Sequence, residues 1–185
     1  MATALLVIDV QMDFVTRRDQ GFVWGNPAAD TSIARALKAF RGKGLAVVHV
    51  HHHGVDPADG FHPSQPGSAV QPVAAPLPGE AVFIKHGSSA FIGTGLADHL
   101  TAEGLTELVI VGGAANYCVE STARMAGDLG YRTTVVCDAL INFCQRLRDG
   151  REMSAGDVLA LTLANLDGEF ARVASVGEIL AQVAA

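Results

Sequence analysis

Leu108-Val109-Ile110-Val111-Gly112-Gly113-Ala114-Ala115-Asn116-Tyr117-Cys118-Val119-Glu120 is the stretch on which the reading of this chain turns. An apolar run gives way to two glycines, and the segment that follows, Ser121 to Gly130, reads as a helix. Strand, tight turn and helix in that order form the repeating unit of a parallel α/β sheet. A cysteine in such a turn lies at the carboxyl edge of the sheet, where open α/β folds place their ligands. It also sits at a helix amino terminus, whose partial positive charge favours thiolate over thiol. The competing reading is a small buried core residue, since free cysteine is among the most buried types.

The same alternation extends outward in both directions. Ala4 to Ile8, Ala46 to His51, Ala81 to Ile84, Leu108 to Val111 and Thr133 to Cys137 are strand candidates, and Phe170 to Val173 supplies a short sixth. Their near-continuous hydrophobicity suits strands covered by helices on both faces. Between them, Ile33, Leu37 and Phe40 recur at helical spacing with Asp30 as the expected cap, and Leu96 and Leu100 mark a helix ended by Gly104. Met125 and Leu129 are expected on the inner stripe of the helix after Cys118. Ser154 with Asp157, and Ser175 with Glu178, have capping-box spacing before the last two helices. The pattern predicts a three-layer αβα Rossmann-like fold, with a mostly parallel six-stranded sheet in the order 3-2-1-4-5-6. Two connections, Val10 to Ala29 and His52 to Glu80, exceed ordinary loop lengths and are expected to be lids, pocket walls or oligomer contacts.

Composition narrows the class. A chain of 185 residues, with no repeat or linker, suits a single domain over residues 1–185. Its hydrophobic fraction of 49% is divided into short runs, well below the roughly 18 continuous apolar residues of a membrane span. A net charge of -6 without a basic stripe argues against nucleic acid as a partner. No basic segment precedes the first apolar run, and the three cysteines, Cys118, Cys137 and Cys144, form no CxxC pair. Reduced thiols in a cytoplasmic protein are expected.

Other strand ends offer partners for the sulfur. Leu5-Leu6-Val7-Ile8-Asp9 delivers a carboxylate where a strand leaves the sheet, and Val82-Phe83-Ile84-Lys85 delivers an ammonium. In a parallel sheet these ends share one edge. Asp9 would take the thiol proton and return it to a leaving amine, while Lys85 would stabilise the thiolate and keep the carboxylate ionised. Taken singly, Asp9 also reads as a turn cap and Lys85 as a solvated strand end.

These residues resemble the isochorismatase-like cysteine hydrolases, the group that includes nicotinamidases and N-carbamoylsarcosine amidohydrolase. The matching text runs from Leu5-Leu6-Val7-Ile8-Asp9-Val10-Gln11-Met12-Asp13-Phe14 through Lys85 with Ser88-Ser89-Ala90-Phe91 to Gly112–Val119. Thr122-Ala123-Arg124, Gly130-Tyr131 and Val135-Val136-Cys137-Asp138-Ala139 complete it in the family's order. The resemblance implies Cys118 as nucleophile, Asp9 as general acid/base and Lys85 as the third triad member. It also implies a non-proline cis peptide at Gly113–Ala114, which would turn the Ala114 amide, with that of Cys118, into an oxyanion hole. Isochorismatases proper act on a vinyl ether without a cysteine thiolate, so Cys118 points to amide, carbamoyl or ureide hydrolysis without a cofactor. Family members commonly assemble, so a homo-oligomer, dimer or tetramer, is expected.

Nicotinamidases carry an Asp-x-His metal motif after the second strand. Here that text is His49-Val50-His51-His52-His53, without the aspartate, leaving His49, His51, His52 and His62 as weak metal candidates. Phe14, Trp24, His53, Phe91, Asn116, Tyr117 and Phe143 are the candidate substrate-binding residues, with core packing as their alternative. Gln11 and Asn116 are read either as orienting the triad or as capping backbone. The string His86–Gly95 lacks the Gly-Lys-Ser/Thr ending of a phosphate loop, and no GxGxxG follows the first strand, which disfavours a nucleotide-binding protein. Two alternatives to the cysteine amidohydrolase stand: a nicotinamidase with an atypical metal set, and a non-catalytic oligomeric binding protein of the same fold.

Overall fold

The computed structural model describes residues 2–184. Strands β1 (Ala2–Ile8), β2 (Ala46–His52), β3 (Ala81–Lys85), β4 (Leu105–Gly113) and β5 (Arg132–Ile141) join the short β8 (Arg172–Ala174) in one sheet. All its pairings are parallel, in the order β3-β2-β1-β4-β5-β8. This is the expected order, the sixth strand of the sheet being β8. A two-residue hairpin, β6 (Gln145–Arg146) with β7 (Glu152–Met153), stands apart from it and has no counterpart in the sequence pattern.

Alternation along β1 explains the three layers. Ala4, Leu6 and Ile8 face one core, filled from outside by α3 (Leu96–Ala102), α4 (Glu120–Asp128) and α5 (Ala155–Leu166). Leu5 and Val7 face the other, covered by Ile33, Leu37 and Phe40 of α2 (Ala29–Gly42) and Val176 and Ile179 of α6 (Val176–Ala184). A strand buried on both faces has no polar face to show, hence the continuous apolar runs.

Several local expectations change. The connection after β1 contains a helix, α1 (Met12–Asp19), whose inward face is only Asp13 and Phe14. Asp30 lies inside the first turn of α2, which begins after Ala28 without a side-chain cap. Leu129 is the residue after α4 and is 52% exposed, so only Met125 of the expected pair packs inward. The two capping boxes are present: Asp157 N donates to Ser154 Oγ at 3.1 Å, and Ser175 N donates to Glu178 Oε2 at 2.8 Å. Among the described residues no helix is long and apolar enough to cross a membrane.

Strand order reverses between β1 and β4, and the carboxyl ends of these neighbours open a crevice. Gly112 makes their close approach possible. With φ at +117°, a Cβ there would stand 2.0 Å from the Ile8 carbonyl oxygen.

Candidate active site

Each of the three predicted groups comes from a strand end. Asp9 follows β1 in the left-handed region (φ 49°), which short polar side chains tolerate, and its amide donates to Val50 O at 2.8 Å. Lys85 ends β3, two strands away, and its fully buried side chain passes over the end of β2. Cys118 follows β4 in a π-turn, Ala115–Val119, in which Val119 N donates to Ala114 O at 3.1 Å before α4 begins. The Gly113–Ala114 peptide ahead of it is cis, as the resemblance implies.

The three side chains meet. Lys85 Nζ lies 2.7 Å from Asp9 Oδ2 and donates to Cys118 Sγ at 3.1 Å. It also donates to Gly87 O at 3.1 Å and approaches His52 Nδ1 at 3.4 Å. The other carboxylate oxygen, Asp9 Oδ1, is buried with no hydrogen-bond partner among the described residues. Lys85 is thus an ion-pair partner inside the protein, not a solvated strand end.

Burial sets the protonation of the trio. It pushes the Cys118 thiol up to about 12, reinforced by the Asp9 charge and only partly opposed by Lys85. It raises the Asp9 carboxyl to about 6, against the downward pull of Lys85. At neutral pH the resting site therefore holds the Cys118 thiol and an ionised Asp9 carboxylate. This corrects the expectation of a resting thiolate: a second anion would have to share one cation in a poorly solvated place, which outweighs the nearby helix terminus.

A cavity of about 560 Å³ opens over Cys118 and Asp9. Of the predicted pocket residues, Phe14, Asn116, Tyr117 and Phe143 line it, together with Ala114. Three do not. Trp24 is buried behind the wall, its Nε1 donating to Phe14 O at 3.4 Å. Phe91 stacks on Tyr131 at 5.7 Å in the core under α3 and α4. His53 lies outside the cavity, its carbonyl facing His86 Nδ1 at 2.8 Å. Sequence reasoning missed Phe22, Phe61, Arg17, Gln20, Asp59 and Gln145, which also line the cavity. The ring centroids of Phe14 and Phe61 are 5.2 Å apart and those of Phe22 and Phe143 6.0 Å, forming an aromatic cup. Tyr117 Oη donates to Gln145 Oε1 at 2.9 Å, tying the hairpin to the turn that carries Cys118.

Gln11 resolves in favour of positioning backbone. Fully buried, it donates to His52 O at 2.9 Å and Ser68 O at 2.8 Å and accepts from His52 N at 2.8 Å. It thereby holds the end of β2 over which Lys85 passes. Asn116 keeps a buried Oδ1 without a partner among the described residues.

The weak metal candidates do not converge. His49 and His51 share one face of β2 with ring centroids 6.1 Å apart, and His49 Nε2 is spent on Glu80 Oε2 at 2.8 Å. His52 turns to the other side, its ring 5.6 Å from that of Phe61, and His62 Nδ1 pairs with Ser64 Oγ at 2.8 Å. Among the described residues no group of three or more His, Cys, Asp or Glu is placed to hold a metal ion. Period-2 alternation is the reason: neighbours His51 and His52 must point to opposite faces.

Comparison with known proteins agrees with this geometry. The Isochorismatase domain model matches residues 3–159. The chain is 32% identical over 180 residues to the isochorismatase family protein YrdC of Bacillus subtilis (strain 168), spanning 96% of this chain and 94% of the relative. It is 32% identical over 147 residues to a maleamate amidohydrolase of Pseudomonas putida, spanning 72% of this chain and 69% of that one. A crystal structure of an isochorismatase-family hydrolase from Chromobacterium violaceum superposes with a TM-score of 0.93 at 41% identity, covering 99% of this chain and 94% of that one. Fold and kinship define a hydrolase built on a three-layer αβα sheet, and the chain belongs to the isochorismatase family.

Proposed function

We propose that this chain is a cysteine amidohydrolase that cleaves a C–N bond of a small amide, carbamoyl or ureide compound through a thioester on Cys118. One observation carries the reading: a single buried ammonium lies 2.7 Å from Asp9 Oδ2 and 3.1 Å from Cys118 Sγ at the mouth of a cavity. Kinship to a maleamate amidohydrolase supports amide chemistry.

The resting protonation suggests the order of events. As Sγ bonds to the substrate carbonyl carbon, its proton passes to Asp9, whose Oδ1 has no competing partner. Charge then develops on the carbonyl oxygen, which the Ala114 and Cys118 amides receive as an oxyanion hole; a single such donor is typically worth about 3 kcal/mol of barrier. Asp9 returns the proton to the departing nitrogen, the C–N bond breaks, and ammonia or an amine leaves. Water, deprotonated by the same carboxylate, hydrolyses the thioester and restores the thiol. Lys85 holds Asp9 ionised at rest and offsets the transient negative charge on sulfur. The aromatic cup packs the rest of the substrate and excludes water.

Ammonia release across a panel of amides and ureides, comparing the wild-type chain with Cys118→Ala, tests this. Release should depend on Cys118; release unaffected by the substitution would end the mechanism.

A further inference from the structure

Arg17 brings a positive charge to a cavity wall that is otherwise apolar, neutral polar or acidic. It projects from the last turn of α1, four residues after Asp13 and three after Phe14, on the face that meets the cup. Asp13 is buried and takes Arg17 Nε at 2.7 Å. That carboxylate sits in a pocket built of glycines: a Cβ on Gly60 would stand 1.9 Å from Asp13 Oδ1, and one on Gly67 2.9 Å from Asp13 Cβ. The loop after β2 is therefore shaped around Asp13, and Asp13 fixes the guanidinium from its Nε side. The two terminal nitrogens make no hydrogen bond among the described residues, and Asp13 is the one ion-pair partner of the guanidinium there. Guanidinium nitrogens presented as a free pair match the two oxygens of a carboxylate.

The other charges facing the cavity do not duplicate this role. Asp9 belongs to the trio with Lys85 and Cys118. Asp59 Oδ1 accepts from Phe61 N at 2.9 Å, and its charge is felt by His52 at the end of β2. His52 itself is held below the ordinary histidine range, chiefly by burial and then by Lys85, so it is neutral at pH 7. Arg17 is the one permanent cation in the cavity wall among the described residues, with the Gln20 amide three residues further along.

We infer that Arg17 is the specificity-determining residue of this site, anchoring an anionic group, a carboxylate or its equivalent, at the end of the substrate remote from the scissile carbonyl. This rests on the amidohydrolase reading for the identity of the reacting end. The anchor with the aromatic cup defines the substrate class as a compact, flat-bodied amide acid. Asp13 acts through Arg17 as a positioning residue.

Two matched pairs of probes test the anchor: 4-carbamoylbenzoate against 4-acetylbenzamide, and succinamate against its methyl-ketone isostere. Calorimetric binding to Cys118→Ala protein is measured first, then ammonia release by the protein with Cys118 present, each with Arg17, Arg17→Gln and Arg17→Lys. The anionic member of at least one pair should bind and react at least tenfold better, Arg17→Gln should remove that ratio, and Arg17→Lys should restore part of it. Equal binding within both pairs, an anion preference that survives Arg17→Gln, or no binding of any probe would overturn the anchor. Protein that binds the acid through Arg17 but releases no ammonia from any amide keeps the anchor and discards the hydrolase. Protein that releases ammonia through Cys118 with no preference within either pair does the reverse.

Discussion

Asp9 carries two duties on two oxygens. Oδ2 pairs with Lys85 and Oδ1 is left without a partner, so the group is at once anchored and free to take a proton. Its carboxyl, raised to about 6 by burial, must be ionised to act as base. The rate kcat/KM should therefore rise about tenfold per pH unit below roughly pH 6 and level off above it, as a pH–rate profile would record. Asp9→Asn should lower kcat by about 10²–10⁴-fold, the range general acid–base groups supply, whereas a fall below tenfold would remove Asp9 from the mechanism. Lys85→Ala should abolish turnover and also cost stability, because the ammonium is fully buried in an ion pair with Asp9. Removing one partner of such a pair typically costs about 3–5 kcal/mol. In that variant the unpaired Asp9 charge is relieved on protonation, so denaturant unfolding should find its loss of stability relative to wild type smaller at pH 5 than at pH 8. An equal loss at both would contradict the pairing.

At the scale of elements, the β1–β4 junction leaves no room for a side chain at Gly112. Gly112→Ala forces a Cβ into the Ile8 carbonyl at a φ of +117°, so the strands must separate and Cys118 must shift from Lys85. Loss of both folding yield and Cys118-dependent activity is expected, with expression level and activity as the readouts. A milder change, Ser154→Ala, removes the cap of α5 and should cost about 1 kcal/mol by denaturant titration. Elements of this kind were legible because one residue type announces each: glycine pairs, serine caps, unbroken apolar strands. Helix α1 was not, because its stretch Met12–Asp19 buries only Asp13 and Phe14 and starts at Gln11 without a side-chain cap. The π-turn around Cys118 leaves no sequence signature either, since its extra residue is accommodated by backbone and not by side-chain type.

Across the whole molecule, the meeting of Asp9, Lys85 and Cys118 was readable because parallel strands must end at one edge, which makes the three neighbours by topology. The cup was half readable: Phe14 and Phe143 are among the sequence candidates, whereas Phe22, Phe61 and Arg17 reach the cavity from two long connections whose paths no periodicity records. Strand β2 and the residue after it carry much of the pH dependence of folding. His51 is lowered to about 4, chiefly by burial and then by His49, while the unfolded value is near 6.5. The unfolded chain thus binds more protons between these values, so this contribution to stability is complete above about pH 6.5 and is lost as pH falls towards 4. His49, His52 and His53 are lowered too, also chiefly by burial, and add in the same direction. Asp9, raised from 3.8 to about 6, works the other way, its share falling as pH rises through that window. With four histidines against one carboxyl, the melting temperature should climb from pH 4 to pH 6.5, and His51→Leu should flatten the climb. A melting temperature independent of pH over that range would contradict the burial assigned to β2.

The central claim is that the sulfur held by Lys85 beside Asp9 becomes covalently acylated. Rapid acid quench of the wild-type chain during turnover of a cleaved amide, followed by peptide mass analysis, reads this directly. The acyl fragment should appear on the peptide containing Cys118, be released by hydroxylamine, and be absent from Cys118→Ala protein. An acyl group on any other residue, or ammonia release at the wild-type rate from Cys118→Ala protein, would contradict the account.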